Sequence, residues 1–264
     1  MQHVELKNFG YEPDPTKKTG EKPDWDFDTE LRPHLSAVTT GDIDLRKYAT
    51  DTNQFGLPSC VGSATADSVE IISAAQGHPK VELSRMYVWT LARNLMKEDG
   101  YKFMTGTYIR HAFKALHQHG ICLEKYWPYD QSNWDDLPSL KAMRKATGRK
   151  IKGYYKIGNS KRIEKIIEAL QAEHPVVFGT LLDDQWSNYN GRSTLQKPKG
   201  STKGGHAMVV VGYDSSRGFI VKNSWGPRWG DQGYCYMSEE YLDWKNTWDL
   251  WVPTMGHNFQ VELG

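Results

Sequence analysis

From Cys60 onward, apolar residues return at helical spacing. Val61, Ala64, Val69, Ile72 and Ala75 predict a mostly buried helix that closes near Gly77. Ser84 is placed to cap a second helix, Arg85 to Lys97, which stops before Asp99-Gly100. Thr107 to His119 reads as a third, closed by Gly120, and Ser160 to Glu173 as a fourth, followed by Pro175. The period then changes. Val176 to Leu182, His206 to Tyr213, Gly218 to Lys222 and Gly233 to Met237 are short apolar runs rich in β-branched and aromatic residues, so they read as strands. Asp214-Ser-Ser-Arg-Gly218 is turn chemistry and predicts an antiparallel hairpin between the second and third of these runs.

Helices gather in the first half and strands in the second. That segregation predicts an α+β fold, with a natural cleft where the halves meet. Residues 1–43 carry Pro, Lys, Asp and Gly without period, and Pro13 to Pro23 reads as loop. This arm is expected to run over the surface. The expected division is an arm at 1–43, a helical subdomain at 44–150, a β-rich subdomain at 151–252 and a tail at 253–264.

Charge narrows the function. Lys plus Arg number 33 and Asp plus Glu 32, so no electrostatic footprint points to nucleic acid or an anionic membrane. No apolar run approaches membrane-spanning length, and Met1 to Phe9 lacks the apolar core of an export signal, which predicts a cytoplasmic protein. The three cysteines, Cys60, Cys122 and Cys235, form no CxxC pair and fit reduced thiols. His117 and His119 point to different faces of their helix, so no metal site is expected there, and no cofactor is implied.

Cys60 follows a Gly-Leu-Pro turn at the start of the first helix, six residues after Gln54. The partial positive charge of a helix start favours the thiolate, which is the reactive form. The same position also suits an inert buried cysteine. His206 opens one strand of the predicted hairpin and Asn223 follows the other, at similar distances from the turn. An antiparallel ladder would bring the two together. An Asn beside an imidazole fixes its tautomer and turns the other ring nitrogen toward a nucleophile.

In order, Gln54-(x)5-Cys60, Gly205-His-Ala207 and Asn223-Ser-Trp-Gly226 resemble the papain family of cysteine peptidases. So do Gly106 to Ile121 leading into Tyr126-Trp-Pro-Tyr129, the Pro175-Val-Val stretch, and Trp229-Gly-Asp-Gln-Gly-Tyr234. The resemblance spans about Asp44 to Met237. It implies a two-subdomain papain-like fold and a thiol protease that hydrolyses peptide or protein substrates. It casts Cys60 as nucleophile, His206 as acid and base, Asn223 as its orienter, and the Gln54 amide with the Cys60 N–H as the oxyanion hole. Trp225 would shield the His–Asn bond, and Thr107, Gly179 and Ala207 would line the main specificity pocket.

The chain also departs from the family. Val61 stands where Trp is usual, Leu57 replaces the cysteine of a common disulfide, and Phe103 to Thr107 replaces the Cys-x-Gly-Gly stretch. The arm is too short to resemble the usual helical inhibitory propeptide. These features resemble the disulfide-poor bacterial and viral branch. Acyl or amide transfer on the same scaffold, and a non-catalytic component of a larger assembly, stay open, as does contact of the arm with the cleft.

Overall fold

The computed structural model describes residues 9–15, 25–35, 41–98, 106–256 and 259. In chain order, the strand β1 (Ile43–Asp44) precedes the helices α1 (Cys60–Ala75), α2 (Arg85–Glu98), α3 (Ile109–His119) and α4 (Leu140–Ala146). Then come β2 (Ile151–Lys156), α5 (Arg162–Gln171), β3 (Val176–Leu182), β4 (Thr194–Leu195), β5 (Gly204–Asp214), β6 (Gly218–Lys222), β7 (Tyr234–Met237), α6 (Glu239–Leu242) and β8 (Thr247–Met255). This is the expected α+β arrangement. The strands form one sheet in the order β2-β8-β3-β5-β6-β7-β4, with β1 added to β5.

The central helix is α1, buried along its whole length except Ala75. A helix without a solvent face must pack on all sides, and α1 lies against α2, α3, β5 and β8. It therefore carries Cys60 at the junction of the helical half and the sheet. Its polar residues are paired. Lys222, the last residue of β6, donates to Asp67 (2.7 Å) and to Thr52 (2.8 Å), and Thr52 donates to Asp67 (2.6 Å). Glu70 accepts from the Leu83 N–H at 2.6 Å and from the Thr50 hydroxyl. Burial, then neighbouring Asp67, raises the Glu70 carboxyl above its ordinary range.

The hairpin forms, but its register differs from the simple count. Val209 pairs with Lys222 and Val210 with Val221, yet Gly212 pairs with Ile220, so an irregularity lies between Val210 and Gly212. Continuing this ladder places Asn223 opposite Met208. His206 is thus a diagonal neighbour of Asn223 on the same sheet face, still within side-chain reach.

The arm also differs from expectation. Phe27 and Leu31 are buried in the main core, and Tyr11 is 2% exposed. An extended polar segment becomes part of the interior because its few large apolar residues find ready pockets. The Asp99-Gly100 stop and most of Pro13 to Pro23 lie outside the described residues.

The Lys222–Asp67 pair is buried on both sides, at 3% and 2% side-chain exposure. Lys222→Met strands the Asp67 charge and is expected to cost about 3–5 kcal/mol in urea unfolding. The double variant Lys222→Met/Asp67→Leu is expected to recover much of that loss. Equal losses in the single and double variants would contradict a paired charge.

Candidate active site and the arm that fills it

At Cys60, the loop 52–59 delivers the first turn of α1. Its position is fixed from the sheet side. Asn53 bridges Trp225, Gln54 N–H donates to the Ser224 carbonyl (2.8 Å), and Gly226 N–H donates to the Thr52 carbonyl (2.9 Å). The Gln54 side chain is held at both ends: its Oε1 accepts from the Ser224 hydroxyl at 2.6 Å and its Nε2 donates to the Leu57 carbonyl at 2.9 Å. Ser59, the residue before the helix, does not cap it with its side chain. Its hydroxyl meets Tyr129 OH at 2.6 Å, and Tyr129 OH donates to the Gln54 carbonyl at 2.6 Å.

His206 Nε2 and Asn223 Oδ1 are 2.7 Å apart. An amide oxygen only accepts, so the proton sits on Nε2 and Nδ1 carries the lone pair. Nδ1 is buried without a hydrogen-bond partner. The Trp225 ring stacks over the imidazole at 5.0 Å and 25°. Ala207, next on β5, donates its N–H to Cys60 Sγ at 3.4 Å. Cys60, His206 and Asn223 therefore converge where α1 meets β5 and β6. Gly179 and Ala207 pair in the β3–β5 ladder beside them.

The arm occupies this site. The Phe9 carbonyl accepts from the Cys60 N–H at 3.1 Å and from Gln54 Nε2 at 3.3 Å. Two donors thus converge on one carbonyl oxygen at the start of α1. The Phe9 ring lies 4.9 Å from both His206 and Trp225. Beyond it, Thr107 N–H donates to the Gly10 carbonyl (2.8 Å) and Glu12 N–H donates to the Thr107 carbonyl (3.1 Å). Tyr11 enters a pocket against Gly179 and Gly205. A Cβ on Gly179 would come within 2.1 Å of the Tyr11 ring, so only glycine leaves that room. Each expected site residue thus contacts the arm or holds a residue that does.

Electrostatics follow from this filling. Burial pushes the Cys60 thiol up to about 12, against the opposing pull of backbone N–H groups. Burial likewise pushes His206 down to about 4, partly offset by Asn223. The helix-start argument predicts a low thiol pKa; in the filled site, loss of water outweighs it. The closed site is a neutral thiol beside a neutral imidazole. Cys122 and Cys235 are buried and free.

Known proteins share this chain's sequence pattern and fold. A model described as "Papain family cysteine protease" matches residues 41–247. The chain belongs to the papain family of cysteine proteases. It is 30% identical to an uncharacterized peptidase C1-like protein of Acanthamoeba polyphaga mimivirus, over 81% of this chain and 75% of that one. It is 26% identical to Peptidase 1 of Dermatophagoides pteronyssinus over 77% of this chain, spanning 62% of the mite protein. Among solved structures it resembles xylellain, a cysteine protease from Xylella fastidiosa, with 25% identity and a TM-score of 0.79, covering 96% of this chain and 99% of that one. As a papain-family cysteine peptidase the protein is a hydrolase. No described helix is long and apolar enough to cross a membrane.

Sequence reading passed over Phe9, Tyr11, Ser59, Tyr129 and Ser224. Tyr129 and Ser224 sit inside quoted motifs, but their bonds to Gln54 need the folded loop. Phe9-Gly-Tyr11 offers only alternating large residues in an otherwise polar arm.

In the intact chain, Cys60 is expected to react with iodoacetamide slowly throughout pH 4 to 9, its rate still climbing with pH and reaching no plateau, because the thiolate is scarce below about 12 and the arm covers the sulfur. Phe9→Ala with Tyr11→Ala should raise the rate at least tenfold, most at neutral pH. Peptide mass spectrometry reads it. Fast Cys60 alkylation in the unaltered chain would contradict the filled site.

Proposed function

We propose that the chain is a cysteine endopeptidase that hydrolyses peptide bonds through a thioester on Cys60 and is held latent by its own arm. The cleft would run between the expected subdomains 44–150 and 151–252. The supporting observation is the Phe9 carbonyl lying between the Cys60 N–H and Gln54 Nε2 while His206, oriented by Asn223, presents a free Nδ1.

With the arm gone, water returns and the charged pair becomes affordable. Cys60 gives its proton to His206 Nδ1 and attacks the substrate carbonyl carbon. The oxygen gathers negative charge between the Cys60 N–H and the Gln54 amide. As the C–N bond breaks, His206 returns the proton to the leaving amine, and the acyl group stays on sulfur. Water then loses a proton to His206, attacks the thioester and releases the acid and the free thiol. Asn223 keeps the imidazole turned throughout, and Trp225 keeps water from that hydrogen bond.

A second reading draws on the same filled cleft: a non-catalytic papain-fold component whose arm stays in place. Acyl transfer to an amine would share every step before water enters.

The readings separate in one assay. The chain is folded intact, then cut at a protease site introduced within 16–20, and the freed arm is washed away. Such protein is expected to hydrolyse fluorogenic peptides. Cys60→Ala and His206→Ala should reduce kcat/KM to background, and Gln54→Ala should reduce it about 10²–10³-fold. Added amines should leave the acid as the main product. No turnover after arm removal would favour the non-catalytic reading, and an amide as main product would favour transfer.

A further inference from the structure

The even charge balance averages over an uneven surface. Between Asp136 and Glu164 the chain has nine Lys and Arg residues and no acid. Among the described residues, four large apolar side chains stand exposed: Phe55, Trp134, Leu137 and Leu140. Three of these lie in the stretch that leads into the cationic run, Trp134 at 39%, Leu137 at 63% and Leu140 at 77% exposure. Single exposed apolar residues are ordinary, but a group of them rimmed by charge marks an interaction site.

Helix α4 organises these groups. Ser139 caps it, its hydroxyl accepting from the Ala142 N–H at 3.2 Å. Ala142 and Ala146 turn inward and join a small second core with Tyr87 and Cys122. At helical spacing the opposite face carries Leu140, Lys141 and Arg144, all exposed. Lys125 comes up beside that face. The ammonium groups of Lys125, Lys141 and Lys145 lie 5.5, 5.7 and 5.5 Å from the centre of one ring, Tyr126. At the other edge the Trp134 ring covers the Arg93 guanidinium at 4.8 Å. Asp135 there is met by Arg93 at 2.5 Å and by Lys97 at 3.8 Å, and Asp136 stands exposed beside it.

We infer that this surface docks the protein on an anionic membrane. Leu137, Leu140 and the Trp134 ring enter the interface, and Lys125, Lys141, Arg144 and Lys145 meet the headgroup phosphates. Charge and apolar exposure decide the partner together. A soluble polyanion would use the cations and leave both leucines in water. A lipid surface uses both kinds of group. The leucines leave water, the Trp ring sits at headgroup level, and the Lys stems lie along apolar surface with their ammonium groups outside. Attachment of this kind needs no membrane-spanning helix, only apolar insertion beside a basic patch. The docked face also lies close to the catalytic loop. Tyr126 is three residues before Tyr129, whose hydroxyl donates to the Gln54 carbonyl. The inference does not depend on the proposed peptidase activity.

The full chain is mixed with vesicles of phosphatidylcholine alone, or of phosphatidylcholine and phosphatidylglycerol in equal parts. Bound protein is read by flotation. Binding is expected on the mixed vesicles only, and it should weaken as salt rises. Lys141→Glu with Arg144→Glu should weaken it at least about tenfold, since each charge near the surface is worth roughly fivefold. Leu137→Ser with Leu140→Ser should also weaken it at least about tenfold, even at low salt. All four positions are exposed, so both variants should keep the unfolding temperature of the unaltered chain. Binding to inorganic polyphosphate and self-association by sedimentation velocity are measured in parallel. Absence of the protein from floated mixed vesicles at low salt, or vesicle binding that the leucine pair leaves unchanged, overturns the inference. Polyphosphate bound as tightly as the vesicles, with the leucines indifferent, would make the patch a soluble-polyanion site instead. A dimer that the leucine pair dissolves, without vesicle binding, would make it a contact between two copies, and the inference would fail.

Discussion

The buried contact of Lys222 with Asp67 and Thr52 is the constraint on which the site's geometry depends. Asp67 sits two turns into the helix that begins with Cys60, and Lys222 is the residue before Asn223. One ion pair therefore ties the nucleophile's helix to the strand that ends at the imidazole's partner. Buried ion pairs contribute little net stability, but they resist misalignment because any shift strands a charge in a medium that cannot solvate it. Around this tie the loop 52–59 is laced to 224–226, and Gln54 inherits its place from both walls.

Given that frame, the arm acts as a local solvent. It brings a carbonyl to the helix start, an aromatic ring to His206 and a phenol whose hydroxyl donates to the buried carboxylate of Asp249. All of these contacts are short and specific, yet each is a replaceable one. Desolvation accounts for the neutral state of the Cys60–His206 couple, and a substrate entering with water would alter it. On the proposed reading, latency and reactivity belong to the same residues under different hydration.

Much of this was legible in the sequence. All four anticipated strands form, β3 and β6 with their expected limits and β5 and β7 within two residues of theirs, because continuous apolar β-branched runs have few alternatives. Gln54, Cys60, His206 and Asn223 were expected together from their type and order, and the fold brings them together. What escaped had physical reasons. The bulges near Val211 and Asp249 shift register by one residue, and periodicity cannot report that. Asp249 lies in Trp-Asp-Leu-Trp, where an acid reads as an exposed residue between buried ones. The low thiol pKa expected of a helix start is outweighed by the burial of Cys60, whose N–H pairs with Phe9, a residue 51 positions away in sequence that no local pattern links to it.

The most direct measurement is the mass of the protein during its first turnover. Arm-free protein, cut after folding, is mixed with a peptide ester and quenched in acid over milliseconds to seconds. A thioester mechanism predicts a transient mass gain equal to the acyl part of the substrate, mapping to Cys60, which decays as the acid product appears. Product formed with no adduct, or an adduct on any residue other than Cys60, would contradict it.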